Sequence, residues 1–394
     1  MTARWDPVGQ LQSAYPQMVE WRRYLHRYPE LSFQEKNTSA WIADKLRSFG
    51  CTVTEGIGGY GVVADLEGNG EGPCIALRAD IDALPIQDAK NCEYSSTVPG
   101  VMHACGHDGH TATLLAVAQA YANNRSSWSG KRRLLFQPAE ELCPGGACAM
   151  IRDGALNGVD AIYGVHLWTP LPYGVVATRG GAFMATPDEF TIEIVGQGGH
   201  GGMPHQTIDA VVVGASLVQS LQTIVSRSID PIAPSVVTVG SFQAGSTGNV
   251  IAERAVLNGT VRTFTVAVRE RIRERMESII AHTAAMFGAD ITLDYREGYP
   301  AVTNDEGEAE RFDTVAAELF GQQAVQQSTL IMVGEDFSYY LQEVKGCFMF
   351  VGAGGGDCGA IYPHHHPKFD IDERAMLVSA RLLIGMAEHR AQEE

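Results

Sequence analysis

The chain has 394 residues, 45% of them apolar and 19% charged, enough to bury a sizeable core and to divide into two or three domain-sized units. Its formal net charge of -17 would be repelled by phosphate backbones and anionic lipid, so neither nucleic acid nor a membrane is expected as a partner. The opening MTARWDPVGQLQ lacks the basic start and apolar stretch of a signal peptide, and no later segment reaches the apolar length of a bilayer span, so a cytoplasmic location is expected.

In chain order, Leu11, Met18, Trp21 and Leu25 recur at helical spacing and predict a first helix over 10–27, stopped by Pro29. Ser32-Phe33-Gln34-Glu35 has the form of a capping box for a second helix reaching Gly50. Strands are expected over 61–66 and 74–78, a helix over 109–122, and strands over 133–137 and 161–165. This alternation favours an α/β fold, a catalytic domain whose mixed, largely parallel sheet is flanked by helices. Between 186 and 296 the rhythm becomes strand 190–195, helix 208–227, strands 236–242 and 255–263, helix 268–287 and strand 290–295. That β-α-β-β-α-β order is ferredoxin-like and reads as an inserted α+β domain of about 110 residues. Residues 1–185 and 297–394 would then form one discontinuous domain.

Nine of the twelve histidines fall in four short segments, MHACGHDGH, GVHLW, GGHGGMPH and YPHHHP. A lone histidine, such as His26, His282 or His389, is more often a satisfied core or surface residue, but clustering argues otherwise. In open α/β sheets, reactive groups gather at the carboxyl ends of strands. CIALR runs into Asp80 and Asp82, RLLFQ into Glu140-Glu141, and AIYGV into His166, while Cys105 and His107 stand just before a helix. Thiolate, imidazole and carboxylate together suit a divalent transition metal, with zinc favoured and manganese admitted. Of two adjacent carboxylates, one can bind metal while its neighbour takes a proton from water acidified by that metal. Asp80 and Asp82 are either turn formers or acceptors for the free N–H of a ligating histidine. Gly56-x-Gly58-x-x-Gly61 precedes a strand instead of following one, and so is not a dinucleotide loop. Eight cysteines, at 51, 74, 92, 105, 143, 148, 347 and 358, are too scattered for a disulfide framework. Cys143 and Cys148 flank a Pro-Gly-Gly turn and read as incidental.

The ordered motifs LHRYPELSFQE, ALRADIDALPIQ, MHACGHDGHTATLLAVA, LLFQPAEE, GVHLW, GGHGGMPH, LQTIVSR, NVIAERAVLNGTVRTF, VGEDFSYY and HHHPKFDIDE resemble the dinuclear-metal aminoacylase and carboxypeptidase superfamily, in its hippurate hydrolase and indole-acetyl-amino-acid hydrolase branch. The resemblance implies hydrolysis of N-acyl-amino acids, with two metal ions held by Cys105, His107, Glu141, His166 and His365 and with Glu140 as general base. Among His364, His365 and His366, alignment of the family's Leu-His-x-Pro pattern on Pro367 selects His365. It also implies that His200, in cis or from another subunit, stabilises an oxyanion, and that Asn249 and Arg262 hold the substrate. The inserted domain becomes a lid and the contact of a homodimer or higher homo-oligomer. Zinc is the expected metal, with manganese, cobalt or nickel as alternatives. A dipeptidase or carboxypeptidase acting on unblocked peptides, and a metal-storage protein, remain as rival readings.

Overall fold

The computed structural model describes residues 7–355 and 360–392, so Cys358 lies outside the described residues. They fall into two compact units, one of Met1–Phe183, Thr303–Thr329 and Asp336–Glu394 and another of Met184–Val302 and Leu330–Glu335. The short return of 330–335 to the second unit, which sequence pattern did not suggest, follows from backbone pairing: Ala185 N–H donates to Ile331 O at 3.0 Å.

The first unit is built on an eight-stranded sheet in the order Thr52–Ile57, Gly61–Glu67, Lys131–Gln137, Cys74–Asp80, Ala161–Pro172, Gly346–Gly354, Val176–Thr178 and Val325–Gln327. The central strands Lys131–Gln137, Cys74–Asp80, Ala161–Pro172 and Gly346–Gly354 run parallel. Their burial explains their sequence: all seven residues of Cys74–Asp80 and all nine of Gly346–Gly354 are buried, as strands covered on both faces must be. Helices His107–Asn123 and Ala375–Ala391 pack against these strands, and Pro7–Arg27 packs on both helices. The first helix begins three residues earlier than expected and ends at Arg27 as expected. Strand Thr52–Ile57 was not anticipated; its mostly exposed residues leave little apolar signal.

Helix Lys36–Ser48 carries the clearest correction. Ser32 and Glu35 do not form a capping box. The Glu30 carboxylate instead accepts from the N–H groups of Asn37 (3.2 Å) and Thr38 (2.7 Å), meeting the orphan donors of the first turn from outside the helix. Ser32 and Glu35 turn inward to other partners, described below.

In the second unit four antiparallel strands lie in the order Val236–Ala244, Arg254–Arg262, Asp188–Val195, Asp290–Arg296. With helices Ala210–Thr223 and Val266–Phe287 this is the ferredoxin-like arrangement. Asp188–Val195 alternates buried and less buried residues, the period of a sheet with one covered face, and Phe190, Ile192 and Ile194 join Leu217, Leu221, Ile272 and Met276 in its core. One span, Ala210–Ser228, is long and apolar enough by composition to cross a membrane, against the expectation that no segment would be. Its Ala210, Val213, Leu217 and Leu221 are buried in the core just described, which accounts for much of that hydropathy.

Candidate metal centre and active site

Three adjacent parallel strands deliver the chemistry, two from their ends and one from its interior, where the sequence predicts an end at 165. Cys74–Asp80 leads to Asp80 and Asp82, Lys131–Gln137 to Glu140 and Glu141, and Ala161–Pro172 carries His166. The loop that follows the first of them ends at Gly106, whose φ of 95° is open to glycine at little cost and sets His107 as the first residue of helix His107–Asn123. The positive end of that helix then lies beside Cys105 and the carboxylates. Two non-glycine residues also adopt left-handed backbone here, Ala139 (φ 53°) directly before Glu140, and His365 (φ 64°). Such conformations cost of order 1–3 kcal/mol and persist where surrounding structure imposes them.

The ring nitrogens can be assigned from their partners. His107 Nδ1–H faces the Asp82 carbonyl and Oδ1, both at 3.1 Å, and His166 Nδ1–H donates to Leu167 O at 3.0 Å. Carbonyl oxygens only accept, so each ring keeps its Nε2 lone pair for the site. His166 Nε2 lies 3.5 Å from Cys105 Sγ. His110 is the reverse case. Its Nε2 accepts from Leu167 N–H (2.8 Å) and its Nδ1–H donates to Asp80 Oδ1 (2.6 Å), which leaves neither nitrogen for a metal.

His107 Nε2 sits 3.8 Å from Asp80 Oδ2, 3.9 Å from Glu141 Oε1 and 4.0 Å from Glu140 Oε2, and it and Glu141 Oε1 are buried without a hydrogen-bond partner. Donor atoms of Cys105, His107 and His166 lie within 4.8 Å of one another, as do those of Cys105, Glu141 and His365, and of His107, Glu140 and Glu141. Two buried orphan ligand atoms, converging with sulfur, nitrogen and oxygen donors, fit divalent transition metals. Electrostatics agree. Burial works against a charged His107, yet Asp80, Asp82 and Glu141 raise it to about 10. Burial, Glu141, Glu140 and Asp80 together push the Cys105 thiol well above 9.

Of the three consecutive histidines, the structure brings His365 to the cluster, with Nε2 3.3 Å from Glu141 Oε2 and its own N–H bonded to Ala104 O at 2.8 Å. His364 stacks on Trp168 at 4.6 Å and donates from Nε2 to Leu167 O, and burial pushes it down to about 3. His366 stacks on Tyr362 and accepts from Lys368 N–H.

Asp82 does more than form a turn. Beyond its contact with His107, its Oδ2 accepts from Glu141 N–H at 3.0 Å and from Ser32 Oγ–H at 2.7 Å. Asp80 is clasped between His110 and Arg78, and Arg78 also reaches Gln137 Oε1 (2.9 Å) and Asp336 Oδ1 (3.0 Å). Sequence reasoning missed Arg78, His110, Ser32, Glu35 and Asp336. Only His110, one helical turn after His107, carried a signal that spacing could have revealed. Cys143 is exposed and Cys148 half-buried, and Gly58 lies in the turn between strands Thr52–Ile57 and Gly61–Glu67, the second of which Gly61 opens.

His200, Asn249 and Arg262 belong to the second unit. His200 lies not in a bare glycine loop but on a short strand, Gly199–His200, paired with Val250–Ile251, and its neighbour Gly201 donates to Asn249 O at 2.8 Å. Its exposed ring accepts from Gly202 N–H at Nδ1, which puts the proton on Nε2 as an available donor. The Arg262 guanidinium is anchored on Thr260 Oγ1, Val261 O and Asp188 O.

The parallel-sheet edge, the convergent donor atoms and the adjacent carboxylates Glu140 and Glu141 have the chemistry of a hydrolase site. Comparison with known proteins narrows the class. The chain belongs to peptidase family M20/M25/M40, whose model matches residues 76–389. It is 46% identical over 292 residues to an N-acyl-L-amino acid amidohydrolase of Geobacillus stearothermophilus, covering 74% of this chain and 79% of that one. It is 40% identical to the N-acetyl-L-cysteine deacetylase of Bacillus subtilis (strain 168), over 97% of this chain and 90% of that one. Among solved structures, the YxeP protein of Bacillus subtilis, described as a dinuclear metal binding peptidase, superposes with a TM-score of 0.83 at 34% identity, covering 97% and 99% of the two chains. The protein is thus an amidohydrolase of the M20 family.

Proposed function

We propose that the protein hydrolyses the amide bond of N-acyl-L-amino acids, releasing a carboxylic acid and a free amino acid. The observation that carries this reading is the convergence of Cys105, His107, Glu141, His166 and His365 around the buried, unpartnered His107 Nε2 and Glu141 Oε1, with Glu140 beside them. These five residues would hold two divalent ions, zinc by preference for a site with thiolate and imidazole donors. When bound, such ions supply Lewis acidity at the scissile carbonyl and lower the pKa of water.

The remaining work falls to the chain. Glu140, 7% exposed, takes the proton from the attacking water and returns it to the departing amine. Asp82 orients His107 and fixes the backbone of Glu141, while Asp80 and His110 support the same wall. His200 would donate its Nε2–H to the developing oxyanion, from its own chain or from another subunit, a role supported by its tautomer. Asn249 and Arg262 would hold the substrate carboxylate. The second unit would act as a lid and self-association module; its exposed Val211, Val212, Met203 and Val250 support a homodimer contact there.

The test is a comparison of N-acetyl and N-benzoyl amino acids with free dipeptides, using enzyme reloaded with zinc, manganese, cobalt or nickel. Preferential turnover of the acylated substrates is expected. Preferential cleavage of unblocked dipeptides would favour the peptidase reading, which the description of the YxeP protein also supports. Metal uptake with no hydrolysis of either class would point to storage.

A further inference from the structure

The segment Glu30–Glu35 has the sequence of a helix start, but of its side chains Glu30 caps the helix while Ser32 and Glu35 serve the loops of the site. Its backbone adds a rung beside the Asp82 turn: Leu31 bridges Ala83, and Ala83 N–H donates to Glu30 O at 2.9 Å. Ser32 Oγ–H donates to Asp82 Oδ2. Glu35 is wholly buried, and its Oε1 accepts the N–H of Ala139 at 2.7 Å. Ala139 is the non-glycine residue held at φ 53° immediately before Glu140, and its carbonyl is tied in turn by Gly146 N–H at 3.1 Å. An alanine in left-handed backbone relaxes unless something fixes the peptide on each side of it. Glu35 supplies that restraint on the side of Pro138, at the cost of burying a carboxylate whose second oxygen, Oε2, has no partner. A side chain kept for packing alone would not carry that cost.

We infer that Glu35 is a positioning residue for Glu140: its Oε1 holds the Ala139 peptide in left-handed conformation and thereby aims the Glu140 carboxylate. This rests on the reading of Glu140 as the base. Its effect belongs in kcat, because a misaimed base slows proton transfer without changing the groups that grip substrate. Errors of about 1 Å at a reacting centre cost on the order of 10²-fold.

Two substitutions separate reach from charge. Glu35→Gln keeps an acceptor oxygen at the same distance from Ala139 N–H and removes the charge; Glu35→Asp keeps the charge and falls one methylene short. With metal content measured on each, Glu35→Asp should lose about 10²-fold in kcat with KM within about threefold, and Glu35→Gln should stay within about fivefold of the parent. The inference is overturned if Glu35→Asp keeps parental kcat, if Glu35→Gln loses as much as Glu35→Asp, or if the loss of Glu35→Asp appears in KM or metal content instead. Glu140→Ala in the same assay distinguishes the two failures. Parental turnover in Glu140→Ala removes the base assignment itself, whereas an inactive Glu140→Ala beside a parental Glu35→Asp removes only the role of Glu35.

Discussion

Replacing Asp82 by Asn should weaken metal binding by about 10–100-fold without unfolding the protein, the range typical of lost support behind a ligating residue. Asp82 Oδ1 receives His107 Nδ1–H, and Oδ2 receives both Glu141 N–H and Ser32 Oγ–H. Asparagine offers one oxygen and one NH₂. Either way it turns, a donor is set against the N–H of His107 or of Glu141, so either Glu141 loses its anchor or His107 is left with the Asp82 carbonyl alone. Hydrogen bonds involving a charged partner are worth about 1.5–3 kcal/mol, and 1.4 kcal/mol is one decade of affinity, which returns the same range. Ser32→Ala removes a donor to Asp82 that holds neither ligand and should cost less than about tenfold. The assay is competition for zinc between metal-free protein and a chromophoric chelator, with circular dichroism verifying the fold. Asp82→Asn affinity within about twofold of the parent would refute the argument that this carboxylate orients both ligands.

Metal uptake should release protons. In the metal-free protein His107 is raised to about 10 and Cys105 lies well above 9, so at pH 8 both hold protons that a cation must displace. Apparent zinc affinity should therefore climb about tenfold per pH unit for each displaced proton, measured by titration between pH 7 and 9; a flat profile contradicts it. Beside the first turn of helix His107–Asn123, Arg22 is wholly buried against Asp108 (2.8 Å), Asp370 (2.7 Å) and Glu373 (3.2 Å). Arg22→Met removes the cation these carboxylates share, leaving Asp108 to His26, Asp370 to Tyr94 and Glu373 to Arg23, and should cost about 3–5 kcal/mol in unfolding measurements, where a loss under about 1 kcal/mol would show the network to be dispensable. His364 and His103 are held neutral by burial, at about 3 and about 4. Folded values below the ordinary 6.5 mean that their contribution is present above about pH 6.5 and is lost as pH falls towards 4 and 3. His364→Phe, which can keep the stack on Trp168, should flatten the fall in Tm between pH 6.5 and 4.5; an unchanged slope counts against His364 as a contributor.

The architecture was legible because its strands announce themselves in two different ways. Cys74–Asp80 reads as a continuous buried run and Asp188–Val195 as an alternation, and these patterns separate the parallel sheet from the one-faced sheet before any contact is known. The candidate site was legible where its residues follow a strand end, as Glu140 and Glu141 do; His166 lies within strand Ala161–Pro172, which runs past the expected end at 165. Other parts required three-dimensional contacts. Ser32-Phe33-Gln34-Glu35 matches the local grammar of a helix start, but the helix is capped by Glu30 while Ser32 and Glu35 reach Asp82 and Ala139, 50 and 104 residues away. Among His364, His365 and His366, alignment of the motif on Pro367 points to His365, but composition and periodicity give no physical ground for it. The choice depends on a positive φ at His365 and an aromatic stack that occupies His364. Arg78, in a strand that otherwise reads as core, is buried because Asp80 and Asp336 meet it from different parts of the chain.

The central claim is that Glu140 moves the proton at a metal centre built by its neighbours. The most direct test is the turnover of an N-acetyl amino acid by Glu140→Gln protein whose metal content is measured in the same sample. The account predicts parental metal content and a kcat lower by about 10²–10⁴-fold, the span of general-base contributions. Parental metal content with kcat within about tenfold of the parent would contradict it.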